Sequence, residues 1–208
     1  MNYYMKGCDI SHYQAKDIKS GKIDLTKYDF VIMKATEGKT YKDKEMPNFM
    51  KRMHTNLIGF YHFARPEKYG WKEEADNFIK AVTPYIQQGA ILALDWEDKA
   101  VKLPVVQGVE WALNWLKYVE EKTGIKPLIY CSEWYAKNLK RIYENGNGLW
   151  IARYPGMNFV NSGKKPSTGV YPYFAFWQYN DKDGDKSIDV DFFNGKRKQF
   201  EAYAKKRW

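Results

Sequence analysis

The chain is expected to be an α/β protein, an irregular (β/α)8-like, TIM-type barrel with a helix-poor second half. Three observations carry that expectation. Eight short apolar runs with strand character are spread along the whole length. Most of the stretches between them have helical spacing, as the alternation of a barrel requires. Several runs also end abruptly in polar groups, most sharply Ile91-Leu92-Ala93-Leu94-Asp95-Trp96-Glu97-Asp98, where four apolar residues meet three carboxylates. A regular barrel is not predicted, because such barrels run to about 250 residues. This chain has 208, and its last two connections are too short for helices.

The elements follow in order. Lys6 to Ser11 is a strand ending near Asp9, and Tyr13 to Tyr28 is a polar loop with a weak helix. Phe30 to Gly38 is the second strand, Pro47 to Met53 is helical, and Leu57 to Ala64 is the third strand, closed by Pro66. Trp71, Ala75, Phe78, Ile79 and Val82 recur at helical spacing ahead of Pro84, so a helix spans Trp71 to Val82. The Asp95 run is the fourth strand. Val105 to Lys122 is the clearest helix, with Val109, Ala112, Leu113, Leu116 and Val119 on one side and Gly124 at the C-cap position. Strands are then expected at Pro127 to Ser132, Leu149 to Tyr154, Tyr173 to Tyr179 and Ser187 to Phe193. A helix from Glu133 to Tyr143 ends at Asn145-Gly146-Asn147-Gly148, Asn161 to Gly169 is a loop, and Asp181 to Lys186 is a tight turn. The basic tail, Lys196 to Trp208, is expected to close the barrel as a helix. No internal repeat or low-complexity linker divides the chain, so one domain is expected over residues 1–208.

Composition narrows the class. Hydrophobic residues make up 44% of the chain, which excludes a disordered protein, and no stretch approaches membrane-spanning length. The 17% aromatic content, with 17 Tyr and 8 Trp, leans towards carbohydrate, since aromatic faces stack on sugar rings. The net charge of +9 favours an anionic partner. There is no Arg-rich tract or nucleic-acid module, so an acidic wall polymer suits the charge and no nucleic-acid partner is expected. Cys8 and Cys131 each lie within a strand and form no disulfide framework; two buried thiols fit a reducing compartment. Met1 to Lys6 lacks the apolar region of a signal peptide.

In such barrels the chemistry sits at the C-terminal ends of the strands. Those ends hold Asp9, Lys34 to Glu37, Tyr61, His62, Asp95, Glu97, Tyr130, Arg153, Gln178 and Asp189. Asp95 and Glu97 are two residues apart, so in extended backbone both leave the same face. Two acids on one face repel and drive their pKa values apart, which lets one stay protonated beside an ionised neighbour. The competing reading is a strand end that turns polar on reaching water. Acids from strands one, four and eight would converge on one mouth in a closed barrel, and that favours a site. Trp177, Tyr179, Tyr154 and Tyr171 are candidates for sugar stacking, with barrel packing the alternative for each. Trp96 points away from its acidic neighbours, into the core. His12, His54 and His62 have no zinc spacing, so no metal and no cofactor is expected, and His62 is read as a packed, hydrogen-bonded residue.

Six segments then carry a resemblance: Asp9-Ile10-Ser11, Lys34-Ala35-Thr36-Glu37-Gly38, Gly59-Phe60-Tyr61-His62-Phe63, Leu94-Asp95-Trp96-Glu97, Trp177-Gln178-Tyr179 and Ile188-Asp189-Val190-Asp191. In this order, over nearly the whole chain, they resemble the glycoside hydrolase family 25 muramidases, the Chalaropsis-type lysozymes. The resemblance implies an irregular (β/α)8-like barrel without a metal. It implies cleavage, with retention, of the β-1,4 bond between N-acetylmuramic acid and N-acetylglucosamine in peptidoglycan. It makes Glu97 the general acid and Asp95 the partner that orients the substrate's acetamido group or attacks directly. Asp9 and Asp189 become outer acids that bind substrate and tune the central pair. Asp191 stands where the family usually has Asn, and motif position favours Asp189 as the inward acid. Substrate contacts are expected from Tyr61, Lys34, Glu37, Tyr130, Trp177 and Gln178, with Lys34–Glu37 as a structural ion pair the alternative.

Two other functions fit the same residues. A chitinase-like hydrolase also ends strand four in Asp-x-Glu, but Gln88 to Ala93 holds none of the further acids of that motif. A silent glycan-binding barrel would be expected to lose Asp95 or Glu97. The expected partner is the peptidoglycan glycan strand, with the basic surface meeting anionic wall polymers, and the expected assembly is a monomer. The expected setting is a phage endolysin held in the host cytoplasm until lysis and acting at the wall. A secreted enzyme whose leader lies outside this sequence is the alternative.

Overall fold

Alternation along the strands sorts the apolar residues into an inner and an outer set. The computed structural model describes residues 5–55 and 57–205. Its strands are β1 (Met5–Ile10), β2 (Phe30–Glu37), β3 (Tyr41–Lys42), β4 (Ile58–Phe63), β5 (Ile91–Asp95), β6 (Leu128–Ser132), β7 (Leu149–Ala152), β8 (Phe176–Asn180) and β9 (Asp189–Phe193). Its α-helices are α1 (Ala15–Lys19), α2 (Met46–Met50), α3 (Trp71–Val82), α4 (Val105–Thr123), α5 (Lys140–Glu144), α6 (Met157–Asn161) and α7 (Arg197–Ala204). Phe30, Ile32, Ile91, Ala93, Leu128, Trp150, Phe176 and Phe193 pack together as an inner core. Their strand neighbours Val31, Met33, Leu92, Leu94, Ile129, Ile151 and Trp177 join α3 and α4 in the outer core. Successive strand residues point to opposite faces, so this two-sided burial is what a barrel under a helical shell demands.

The sheet runs β1-β9-β8-β7-β6-β5-β4-β2, and β1 also pairs with β2, which closes eight strands into an irregular (β/α)8-like barrel. Neighbours are parallel from β1 through β2, β4, β5, β6 and β7 to β8. β9 is antiparallel to both β8 and β1. A crossover helix between β8 and β9 would have made the last strand parallel. The short turn between them, pinned by the Asp183–Lys186 bridge, reverses it instead. The helix-poor second half follows from the same brevity, with only short α5 and α6 among the described residues between β6 and β8.

Other differences from expectation are local. The expected helix from Glu133 is broken into a 3-10 turn, Ala136–Asn138, and then α5, because Glu133 N–H donates to the Ala152 carbonyl (3.0 Å) and extends the strand ladder instead. α6 stands just before the expected loop from Asn161. The β3 hairpin on β2 was not legible. It turns at Gly38, whose φ of +52° suits glycine, and Asn77 of α3 braces it through its side-chain N–H groups to the carbonyls of Gly38 (2.8 Å) and Tyr41 (3.1 Å). α7 packs Phe200 and Ala204 against the inner core, as expected of the tail, and the tail's last residues, 206–208, lie outside the described residues. So do residues 1–4, on which most of the leader reading rests. Among the described residues no helix is long and apolar enough to cross a membrane.

The inner core leaves no room beside Phe30. A Cβ at Gly7 would lie 2.2–2.4 Å from the Phe30 ring. Gly7→Ala is therefore expected to destabilise the protein by about 1–3 kcal/mol, lowering Tm by roughly 2–10 °C. Adding Phe30→Leu should recover part of the loss. Thermal melts of the single and double variants check this, and additive effects would rule out the contact.

Candidate active site

The strand ends converge on a hollow of about 250 Å³. Asp9 reaches it from β1, Lys34 from β2, Tyr61 and Phe63 from β4, Asp95 from β5, Tyr130 from β6, Gln178 from β8 and Asp189 from β9, and Glu97 joins them just beyond β5. Eight of the expected site residues thus share one space. Asp189 arrives by a route not foreseen. It is the first residue of its strand, not the last, and the reversed direction of β9 brings it level with Asp9, its register partner. Asp191, two residues on, faces the same interior but lies deeper. It is fully buried, does not line the hollow, and accepts a hydrogen bond from Trp150 Nε1 (2.8 Å).

Two expected contacts fall elsewhere. Trp177 sits between Phe176 and Gln178, both inward, so its ring must face outward. It is buried in the outer core, donating from Nε1 to the Arg153 carbonyl (3.0 Å) and packing on Phe159 and Phe192. Glu37 lines an adjoining hollow and is occupied by Lys34 (2.7 Å) and Arg65 (2.7 Å), which is the structural ion pair named as its alternative. Tyr171 and Tyr179 are likewise buried, whereas Tyr154 is 49% exposed and lines the site.

Some lining residues were not anticipated. Phe63 was legible, being two residues from Tyr61 on the same strand. Ser11, Tyr13 and Gln14 were not, because they belong to a 3-10 turn (His12–Gln14) whose capping, with Gln14 Oε1 accepting from Ser11 N–H (3.0 Å), leaves no period to read. A bulge in β2 between Lys34 and Thr36 also escapes alternation. It lets Lys34 enter the hollow while Thr36 turns outward to His62.

Polar groups tie the floor together. Tyr130 O–H donates to Gln178 Oε1 (2.7 Å), Tyr154 O–H donates to the same oxygen, and Gln178 Nε2 donates to Asp9 Oδ2 (2.6 Å). Asp95 is 7% exposed, and among the described residues its Oδ1 has no hydrogen-bond partner. Trp96, as expected, is buried against Trp111, with ring centroids 5.6 Å apart.

Burial raises every carboxyl in this group, ahead of the like charges. Asp9 is held well above the usual carboxylate range by burial, then by Asp189 and Asp191. Asp95 is raised by burial, then by Glu97, with Lys34 opposing. Glu97 is raised by burial and then by Asp98, with Lys34 and Arg65 opposing. Asp189 is pushed up to about 6 by burial, Asp181 and Glu97. The field of ionised neighbours is therefore the lesser cause of the raised Glu97 pKa, and desolvation is the greater.

A line of alternating charge borders the acids. Lys34 pairs with Glu37, Glu37 with Arg65, and Arg65 Nη1 with Asp98 (2.8 Å), which follows Glu97 and has a φ of +51°. Behind it His62 is fully buried. Its Nε2 lies 2.7 Å from Glu74 and its Nδ1 2.7 Å from Thr36 Oγ1, so it is the packed, hydrogen-bonded residue expected. Burial holds His62 down at about 3 and pushes Glu74 up to about 8, so the pair shares one proton without net charge.

Paired carboxyls at the mouth of a closed barrel are the arrangement that glycoside hydrolases use, and this chain is one of that class. The family model of glycosyl hydrolases family 25 matches residues 8–188, and the chain belongs to that family. The N,O-diacetylmuramidase of Arthroderma benhamiae is 29% identical over 97% of this chain and 87% of its own length. The muramidase of Trichobolus zukalii superposes with a TM-score of 0.75 at 29% identity, covering 96% of this chain and 98% of that one. A family GH25 lysozyme from Aspergillus fumigatus gives 0.76 at 26% identity, covering 97% and 99%.

Asp191 supplies a stability test. Burial pushes its carboxyl from the ordinary 3.8 up to about 7, even though the Trp150 hydrogen bond draws it back. Below about pH 4 both folded and unfolded chains hold the proton. From there to about pH 7 only the folded chain keeps it, so stability falls as pH rises, and the full cost is present above pH 7. Asp191→Asn keeps an acceptor for Trp150. It should raise unfolding free energy by up to about 4 kcal/mol above pH 7 and by little near pH 4. Urea melts across pH check this, and a gain independent of pH would refute burial of charge as the cause.

Proposed function

We propose that this protein is a muramidase that hydrolyses the β-1,4 bond between N-acetylmuramic acid and N-acetylglucosamine in peptidoglycan, with residues 1–208 acting as one catalytic unit. The observation that carries this reading is the common hollow shared by Asp9, Asp95, Glu97 and Asp189 in a family 25 chain. Glu97, whose pKa burial raises, donates its proton to the glycosidic oxygen as the bond to C1 breaks. Asp95 orients the substrate's acetamido group through its N–H and steadies the positive charge as the acetamido oxygen closes on C1. Water then attacks C1 from the vacated side as the bond from C1 to the acetamido oxygen breaks, Glu97 removes its proton, and the configuration is retained. Asp95 suits this role because, among the described residues, its buried Oδ1 has no hydrogen-bond partner and is left for the substrate's N–H.

Asp9 and Asp189 hold sugar hydroxyls and add negative potential. Tyr61, Tyr130 and Gln178 shape the floor, and Tyr154 supplies the ring for stacking. In this reading the enzyme is an endolysin that waits in the host cytoplasm and meets the wall at lysis. The basic surface of +9 charge draws it to anionic wall polymers.

Purified protein should release new reducing ends from bacterial peptidoglycan, with muramic acid as the sugar at each new end by mass spectrometry. Glu97→Gln should lower the rate by about 10²–10⁴-fold with an unchanged circular dichroism spectrum. Glucosamine at the new reducing ends, or a Glu97→Gln variant of normal rate, would overturn the assignment.

A further inference from the structure

The hollow holding Glu37 is a second feature of the mouth, and the chemistry just described does not use it. It has a volume of about 330 Å³ and shares Tyr13 and Lys34 with the acidic hollow, so the two adjoin. Their charges are opposite. The first presents the four acids Asp9, Asp95, Glu97 and Asp189 against Lys34 alone. The second presents Lys34, Arg65 and Lys68 around the single carboxylate of Glu37. Glu37 is taken up by Lys34 and Arg65, and His12 in the same wall faces its own carboxylate, Asp43, at 3.1 Å. Lys68, exposed on the rim, makes no ion pair among the described residues.

The walls are aromatic and held in place. Tyr13 is 79% exposed and Tyr41 40%. The His12 ring lies 4.1 Å from that of Tyr13, and His12 Nδ1 lies 3.1 Å from the Tyr41 hydroxyl, so both rings are braced.

We propose that this second hollow seats the acidic peptide stem carried on the lactyl group of the muramic acid residue, so that the enzyme prefers stem-bearing glycan. The inference rests on the muramidase reading and adds a substrate feature to it. The polymer's sugar rings are uncharged in their backbone, whereas its peptide stems end in carboxylates. The acidic hollow surrounds those carboxylates with other acids, whereas Lys34, Arg65 and Lys68 draw them into the neighbouring one. The open tyrosine faces take the apolar parts of the stem, and the two opposed fields set the direction in which the strand lies.

The test uses the intact protein and three soluble forms of one glycan: strands with native stems, strands whose stems an amidase has removed and whose freed lactyl carboxylates have been capped as simple amides, and strands whose stem carboxylates have been converted to amides. Release of reducing ends gives kcat and KM for each. Native strands should exceed stripped strands in kcat/KM by about fivefold or more, chiefly through KM, and amidated strands should fall close to stripped ones. In Lys68→Glu the ratio of native to stripped should drop towards one. Amidated strands as good as native ones, native strands no better than stripped ones, or an unchanged ratio in Lys68→Glu would each overturn the inference and leave the muramidase reading intact. If none of the three glycans is cut, the muramidase reading fails and the inference goes with it.

Discussion

The pairing of β9 between β8 and β1 is the constraint on which the rest depends. It joins the two ends of the chain, and it sets Asp189 directly across from Asp9. Without that closure the inward faces would lie open to water, and burial is the leading cause of every raised carboxyl in the group. The same closure seals the inner aromatic core, where Phe30, Phe176 and Phe193 meet Phe200 of α7. An apolar base and an acidic mouth are therefore two ends of one enclosed column. The base supplies the burial free energy that the mouth, with its desolvated acids, works against.

Much of the column was legible because period-two alternation survives in short strands. Asp95 and Glu97 share a face, Trp96 opposes them, and the structure keeps that order. The same rule applied to Phe176-Trp177-Gln178 would have turned Trp177 outward; composition, with its surplus of aromatic residues, pulled the reading the other way. Alternation carries no information on strand direction. Asp189 was therefore expected at a strand's end and found at its beginning, with its place at the mouth unchanged. The bulge after Lys34, the hairpin at Gly38 and the 3-10 turn that presents Tyr13 leave no periodic trace, because each is a single irregular step fixed by tertiary hydrogen bonds.

The floor of the site shows how so many acids coexist. Gln178 accepts from two tyrosines through one atom and donates to Asp9 through another, which fixes its amide in one orientation. Asp191 takes the indole N–H of Trp150, so the deepest acid, like Asp9, has a built donor beside it. Fixed donors, more than counter-ions, hold the group together, since among the described residues Lys34 is the one cation that lines the hollow.

The line Lys34–Glu37–Arg65–Asp98 then has to be explained by geometry and not by energy. Its outer members are partly exposed, with Asp98 side-chain exposure at 46% and Arg65 at 21%. Pairs of this kind contribute about 0–1 kcal/mol each, too little to offset several buried carboxyls. What they do is tie together the ends of β2, β4 and β5. Asp98 sits in the left-handed region that a residue with a Cβ disfavours, and the Arg65 guanidinium grips its carboxylate there. Arg65 is itself anchored from behind, because its backbone N–H donates to buried Glu74 (3.0 Å). The turn after Glu97 is thus braced from α3 through β4. In the proposed mechanism a general acid on a loose turn would lose the alignment that proton transfer demands, and this brace fixes the turn that follows Glu97.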